Sequence, residues 1–175
     1  MPNNKIITLD ITDLYTNLPT KGTIEATKHW LGLSTIKKAE QEQLVSALRI
    51  IIQQNYFQYN NQYYQPSKGV AMGSRLSGTL AELFLQYLEK SYIKHCVNSK
   101  EICFYTRYVD DILIIYDANR TTEKNIAQWF NGIDTNLKFK LTVENNSCIS
   151  FLDLNIQRKP DKIELGVYRK KQTQT

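Results

Sequence analysis

A chain of 175 residues, 42% of them hydrophobic, can bury a real core as one domain and is too apolar to be a disordered segment. A net charge of +5 favours polyanionic partners, while three cysteines without a CxxC pair, beside two histidines, exclude a disulfide framework and a zinc-ligand pattern. No apolar run approaches the roughly 18 residues of a membrane span and the MPNNK start is polar, so a soluble intracellular protein with no membrane partner is expected.

The first strand is read over Lys5 to Asp10, a β-branched run with an acidic end. TNLPTKG follows as a loop, punctuated by Pro19 and Gly22. Helices are expected over Thr23–Leu31 and Thr35–Gln54, the second from the spacing of Ile36, Leu44, Ala47, Leu48, Ile51 and Ile52. Two Tyr-rich runs around Asn60-Asn61 predict a hairpin, because Asn tolerates positive φ. SKGVAMGS is a glycine-containing loop. It leads into a helix with Leu76, Leu80, Leu83, Phe84, Tyr87 and Leu88 on one face and Ser74 or Ser77 as its cap. CFYTRYV and ILIIYD form a hairpin with Asp110-Asp111 at its tip, and Cys103 is assigned to the core. A helix over Thr122–Ile133 precedes three strand-rich stretches, LKFKLTVE, SCISFLDLNIQRK and KIELGVYRK, with turns at Asn145-Asn146 and Pro160-Asp161. Six cations between Arg158 and Lys171 stand against Asp161 and Glu164. The order predicts an α+β fold, an antiparallel sheet with helices on one face.

The candidate chemistry lies in three carboxylates: Asp10 at a strand end, and Asp110 and Asp111 at a hairpin tip. Adjacent carboxylates repel, and each raises the other's pKa. A divalent cation removes that cost, and Mg²⁺ takes carboxylate oxygens together with substrate phosphates. Two ions about 3.5–4 Å apart can stabilise the attacking and leaving oxygens of a phosphoryl displacement. Taken singly, Asp-Asp in a turn is ordinary.

The joint pattern carries more. ITLDITDLYTNLP, KGVAMGSRLSGTLAELFLQYLE, FYTRYVDDILIIY and SFLDLNI stand in the order of reverse-transcriptase palm motifs, and YVDD resembles that family's most specific signature. The chain is thus similar to reverse transcriptases over nearly its whole length. LYTN-P, AMGS-LS and FLD followed by VYRK most resemble the Penelope-like retroelement enzymes. The resemblance implies a polymerase palm, a ferredoxin- or RRM-like sheet within a partial right-hand polymerase. Part of the fingers would be inserted at about 19–70, and the N-terminal fingers and C-terminal thumb would lie outside residues 1–175.

It also implies roles. Asp10, Asp110 and Asp111 would hold two Mg²⁺ ions (Mn²⁺ is an alternative), with help from the Ile11 carbonyl. Thr12, Asp13 and Leu14 would lie under the dNTP triphosphate. Tyr15 would be a steric gate against a ribose 2′-hydroxyl. Met72 and Gly73 would approach the nascent base pair, Gly73 by letting the backbone come close. Lys138 or Lys140 would protonate the leaving pyrophosphate. Arg75, Tyr108 and a primer-grip hairpin at Phe151-Leu152-Asp153, with a bulge near Asp153, would meet an RNA or DNA template and its primer. Arg75 and Gly78 replace a proline usual in the Penelope-like pattern, which leaves the loop less fixed. The implied activity is RNA-directed DNA synthesis by a retroelement enzyme, nuclear if the element is active. Two readings compete: another palm nucleotidyl transferase or cyclase, and a degenerate or domesticated palm that only binds nucleic acid or a partner.

Overall fold

The computed structural model describes residues 3–66, 68–71, 73–98 and 101–168. The chain forms two compact units, Met1–Thr12 with Lys94–Thr175, and Asp13–Ile93. The stretch 19–70, expected as an insertion, falls within the second.

The first unit is built on a four-stranded antiparallel sheet. Strands β1 (Asn4–Ile11), β4 (Ile102–Tyr108), β5 (Asp111–Asp117) and β6 (Phe139–Val143) lie in the order β4-β5-β1-β6. Side chains alternate across such a sheet. One face carries Ile7, Leu9, Ile11, Ile112, Ile114 and Tyr116, all almost fully buried. Helix α6 (Glu123–Ile133) covers part of it, with Phe130 stacked on Tyr105 and edge-on to Phe139. The helix starts one residue after the expected Thr122, which caps it, its hydroxyl accepting from the Asn125 N–H at 3.2 Å. The short helix α5 (Lys94–Asn98) lies beside β4.

The opposite face is covered in part by a second sheet, β7 (Cys148–Phe151), β8 (Leu154–Arg158) and β9 (Ile163–Val167), paired in that order. Ile149 and Ile156 pack with Ile6 and Leu113, and Phe151 and Ile115 flank them. The three terminal stretches read as strands therefore part company, β6 joining the main sheet beside β1 and the others forming the second layer. Glu144 and Arg158 link the two through a bidentate ion pair, with a shortest distance of 2.6 Å.

The second unit holds helices α1 (Leu14–Asn17), α2 (Thr20–Gly32), α3 (Lys38–Gln53) and α4 (Ser77–Leu88), a π-helical turn (Glu89–Ile93), and a hairpin of β2 (Phe57–Tyr59) and β3 (Gln62–Tyr64). Asn60 and Asn61 both adopt positive φ in its turn, as their type predicts. Helix α4 packs on α2, and the Trp30 indole N–H donates to the Leu83 carbonyl at 3.0 Å.

Several expectations are corrected. TNLPTKG opens on the last two residues of α1 rather than on a loop, and α2 begins at Thr20 after Pro19, whose fixed φ suits a helix entry. Neither Ser74 nor Ser77 caps α4. Leu76 is its N-cap and is exposed, and the buried Ser77 hydroxyl donates to the Ala71 carbonyl at 2.7 Å. Cys103 is exposed rather than core, since it lies on the outermost strand of the sheet. No bulge occurs at Asp153: Phe151 pairs with Leu154, so Leu152 and Asp153 form a two-residue turn, and positive φ at Leu152 breaks the alternation.

Candidate active site

The hairpin tip lies one residue earlier than its sequence suggests. Tyr108 pairs with Asp111, leaving Val109 and Asp110 as the turn. Val109 has φ 54°, a conformation that costs a β-branched residue about 1–3 kcal/mol. The Arg107 guanidinium braces that turn, Nη1 donating to the Val109 carbonyl at 3.0 Å. Nothing in the composition of the tip signalled this arginine.

The one-residue shift matters because Asp111 now begins β5, directly opposite Asp10 of β1. On its other side Asp10 faces Lys140 of β6. Tyr108, Asp111, Asp10 and Lys140 thus form one row across all four strands, on the face that the second sheet covers only in part. Asp110 joins through its backbone, its carbonyl accepting from the Ile11 N–H at 3.0 Å. The Ile11 side chain is buried beneath, holding this end of β1 to the core.

The electrostatics agree with the placement. Burial first, and then the charges of Asp110 and Asp10, push the Asp111 carboxyl above the usual carboxylate range. Hard carboxylate oxygens under mutual repulsion are the donor set that Mg²⁺ or Mn²⁺ suits. Among the described residues, however, no three His, Cys, Asp or Glu side chains stand assembled around a point where an ion would sit. The backbone register is what brings Asp10 and Asp111 side by side.

Lys138 and Lys140 differ in placement. Lys140 stands in the aspartate row, whereas Lys138 precedes β6 and its carbonyl accepts from the exposed Thr12 at 2.9 Å. Tyr108 is 63% exposed beside Asp111. Phe151 is committed to packing against the core, leaving Leu152 and Asp153 as the exposed part of that hairpin. The Asp153 carbonyl accepts from the Tyr168 N–H at 2.7 Å.

The remaining sequence-derived positions lie in the second unit. Asp13 adopts φ 50° at the start of α1, and its carbonyl accepts from the Thr16 hydroxyl and the Asn17 N–H. Leu14 is buried and Tyr15 half-buried. The Tyr15 carbonyl accepts from the Val70 N–H at 2.8 Å, joining α1 to the glycine-containing loop. Close backbone approach in that loop belongs to Gly69, which the sequence reading passed over. With φ +79°, a Cβ there would stand 2.4 Å from the Thr16 carbonyl oxygen. Gly73 also has positive φ but faces open space, and Arg75 is exposed. Met72 lies outside the described residues.

A family model described as "Reverse transcriptase (RNA-dependent DNA polymerase)" matches residues 2–154. No match was found among curated proteins. Among solved structures, an apo telomerase from Candida tropicalis truncated from its C-terminal domain has a TM-score of 0.75 at 16% identity, covering 94% of this chain and 36% of that one. A telomerase from Candida albicans in complex with the TWJ fragment of telomeric RNA has a TM-score of 0.71 at 14% identity, covering 94% and 32%. At such identities the likeness establishes the fold, and the chain spans about a third of those proteins' length.

Proposed function

Since the chain belongs to the reverse transcriptase (RNA-dependent DNA polymerase) family, we propose that it is the catalytic palm of an enzyme that adds dNTPs to a primer 3′-hydroxyl on an RNA or DNA template. The observation that carries this reading is the pairing of Asp10 with Asp111 beside Asp110, where neighbouring carboxylates repel unless a cation is shared. Bound there, a pair of Mg²⁺ or Mn²⁺ ions would neutralise the attacking and leaving oxygens of an in-line displacement.

The chain's own part is positioning. Asp10, Asp110 and Asp111 supply hard oxygens at the end of a rigid sheet, with the Ile11 carbonyl as a further donor. Lys140, in their row, and Lys138 are the cations available to meet negative charge or give a proton to pyrophosphate. Thr12, Asp13 and Leu14 would underlie the triphosphate. Tyr15, fixed through its carbonyl to Val70, would discriminate against a ribose 2′-hydroxyl by occupying space. Met72 and Gly73 would lie near the nascent base pair. Arg75, Tyr108, Leu152 and Asp153 would meet template and primer, with Phe151 anchoring its hairpin from below. The LYTN-P, AMGS-LS and FLD…VYRK wording supports a Penelope-like retroelement origin, and with it a nuclear setting. Fingers and thumb beyond residues 1–175 would supply most template contacts, because affinity for nucleic acid grows with phosphates neutralised. Among the described residues no helix is long and apolar enough to cross a membrane.

The test is template-dependent primer extension with Mg²⁺, using the chain joined to its flanking reading frame. Asp10→Asn or Asp110→Asn should cut extension by about three orders of magnitude or more, with thermal unfolding preserved. Undiminished extension in either variant would overturn the assignment. RNA binding without incorporation in the unmodified protein would leave a palm that only binds.

A further inference from the structure

The hairpin β2–β3 buries none of its strand residues. Phe57 is 53%, Tyr59 70% and Tyr63 75% exposed, and Tyr56 and Tyr64 are exposed beside them. Register sorts them by face. Phe57 opposes Tyr64 and Tyr59 opposes Gln62, so these four share one face, with Gln58 and Tyr63 on the other. The Phe57 and Tyr64 rings stack, with centroids 5.5 Å apart and planes 20° from parallel. The Tyr64 hydroxyl donates to Gln62 Oε1 at 3.0 Å, which fixes that ring's orientation. At the hairpin's base the Gln65 amide donates to the Gln53 carbonyl at the end of α3, at 2.7 Å. The result is a held display of aromatic rings rather than a core element.

Charge along the sequence that carries the hairpin is one-sided. Between Glu42 and Glu82 the sequence has no acidic residue, while Arg49, Lys68 and Arg75 add positive charge. All three are exposed. Glutamines and asparagines, not charges, separate the rings.

We propose that the Phe57–Tyr59–Tyr64 face is a stacking platform for unpaired bases of a single-stranded nucleic acid. Every base has a π-face, so aromatic platforms in a positive field bind single strands with little regard to sequence. The lack of acidic residues in the sequence around the hairpin, with Arg49, Lys68 and Arg75 exposed, favours a polyanion over an uncharged or acidic-surfaced partner. The proposal deepens the polymerase reading, resting on its premise that the chain handles nucleic acid. Binding needs neither metal nor nucleotide, so the two can fail separately.

The experiment is fluorescence anisotropy of the whole chain in EDTA with labelled oligo(dT) and oligo(rU), across a salt series. Tyr59→Ala, and Phe57→Leu, which keeps apolar volume but removes the ring, should each weaken binding about tenfold. Tyr63→Ala, on the opposite face, should change it less than about twofold. The salt slope should be unaltered by Tyr59→Ala, because stacking releases no counterions. Circular dichroism checks that each variant is folded, and the exposure of Tyr59 makes loss of fold there unexpected. Binding unchanged in both ring variants overturns the proposal. So does sedimentation showing that they instead dissociate a self-associated form, which would make this face a protein interface.

Discussion

Replacing Asp111 by Asn should stabilise the ion-free protein, against the usual rule that substitutions in a site do harm. Burial, and then Asp110 and Asp10, raise its carboxyl in the folded state. A group so raised contributes its full stability below its unfolded value, about 3.9. That stability is lost as pH rises through the folded value. At neutral pH the ionised Asp111 therefore weakens the fold, and Asn removes the charge at nearly constant shape. The carboxyl is only partly buried, so screening holds the gain to about 1 kcal/mol at most, which is no more than about 4 °C in Tm for a chain of this size. Thermal unfolding of both proteins in EDTA, at neutral pH and below the ordinary aspartate value, measures it. The variant should melt higher at neutral pH, and the gap should close in acid. Adding Mg²⁺ or Mn²⁺ at a hundredfold excess over Kd should stabilise the unmodified protein by about 2.7 kcal/mol and the variant much less. A variant that melts lower in EDTA, or equal ion-induced shifts in both proteins, would refute the reasoning.

Other outcomes follow from packing and hydrogen bonding. Gly69→Ala places a Cβ 2.4 Å from the Thr16 carbonyl oxygen at φ +79°, and should cost about 2 kcal/mol or more in urea unfolding. Phe130→Ala empties the space between Tyr105 and Phe139 and should cost about 3–5 kcal/mol by the same measurement. Tyr116→Phe removes a 2.8 Å hydrogen bond to Glu123, whose carboxyl is held below its usual range first by a backbone N–H and then by this hydroxyl. A depressed group lends stability above its unfolded value and loses it as pH falls. The cost of Tyr116→Phe, up to about 1 kcal/mol after screening, should therefore fade in acid, as Tm against pH would show.

Much was legible without coordinates where local chemistry decides. Apolar periodicity located α3 and α4 to within a few residues at their ends, the bounds read for α6 were one residue off, and Asn60-Asn61 announced a turn with positive φ. The three aspartates were picked out by the order of their motifs, which resembles that of reverse transcriptases, taken with the cost that neighbouring carboxylates carry unless they share a cation. Tertiary structure alone decided the rest. Pairing register moved the hairpin tip to Val109-Asp110, put Asp111 opposite Asp10 and brought Lys140 rather than Lys138 into their row. A one-residue step exchanges the faces of a strand, and local propensity does not weigh such steps. Gly69 was overlooked in favour of Gly73 for a like reason: the need for a missing Cβ comes from Thr16, 53 residues back along the chain. Composition can say that a loop will bend. Which of its glycines another segment presses against is settled only when the chain has folded back on itself.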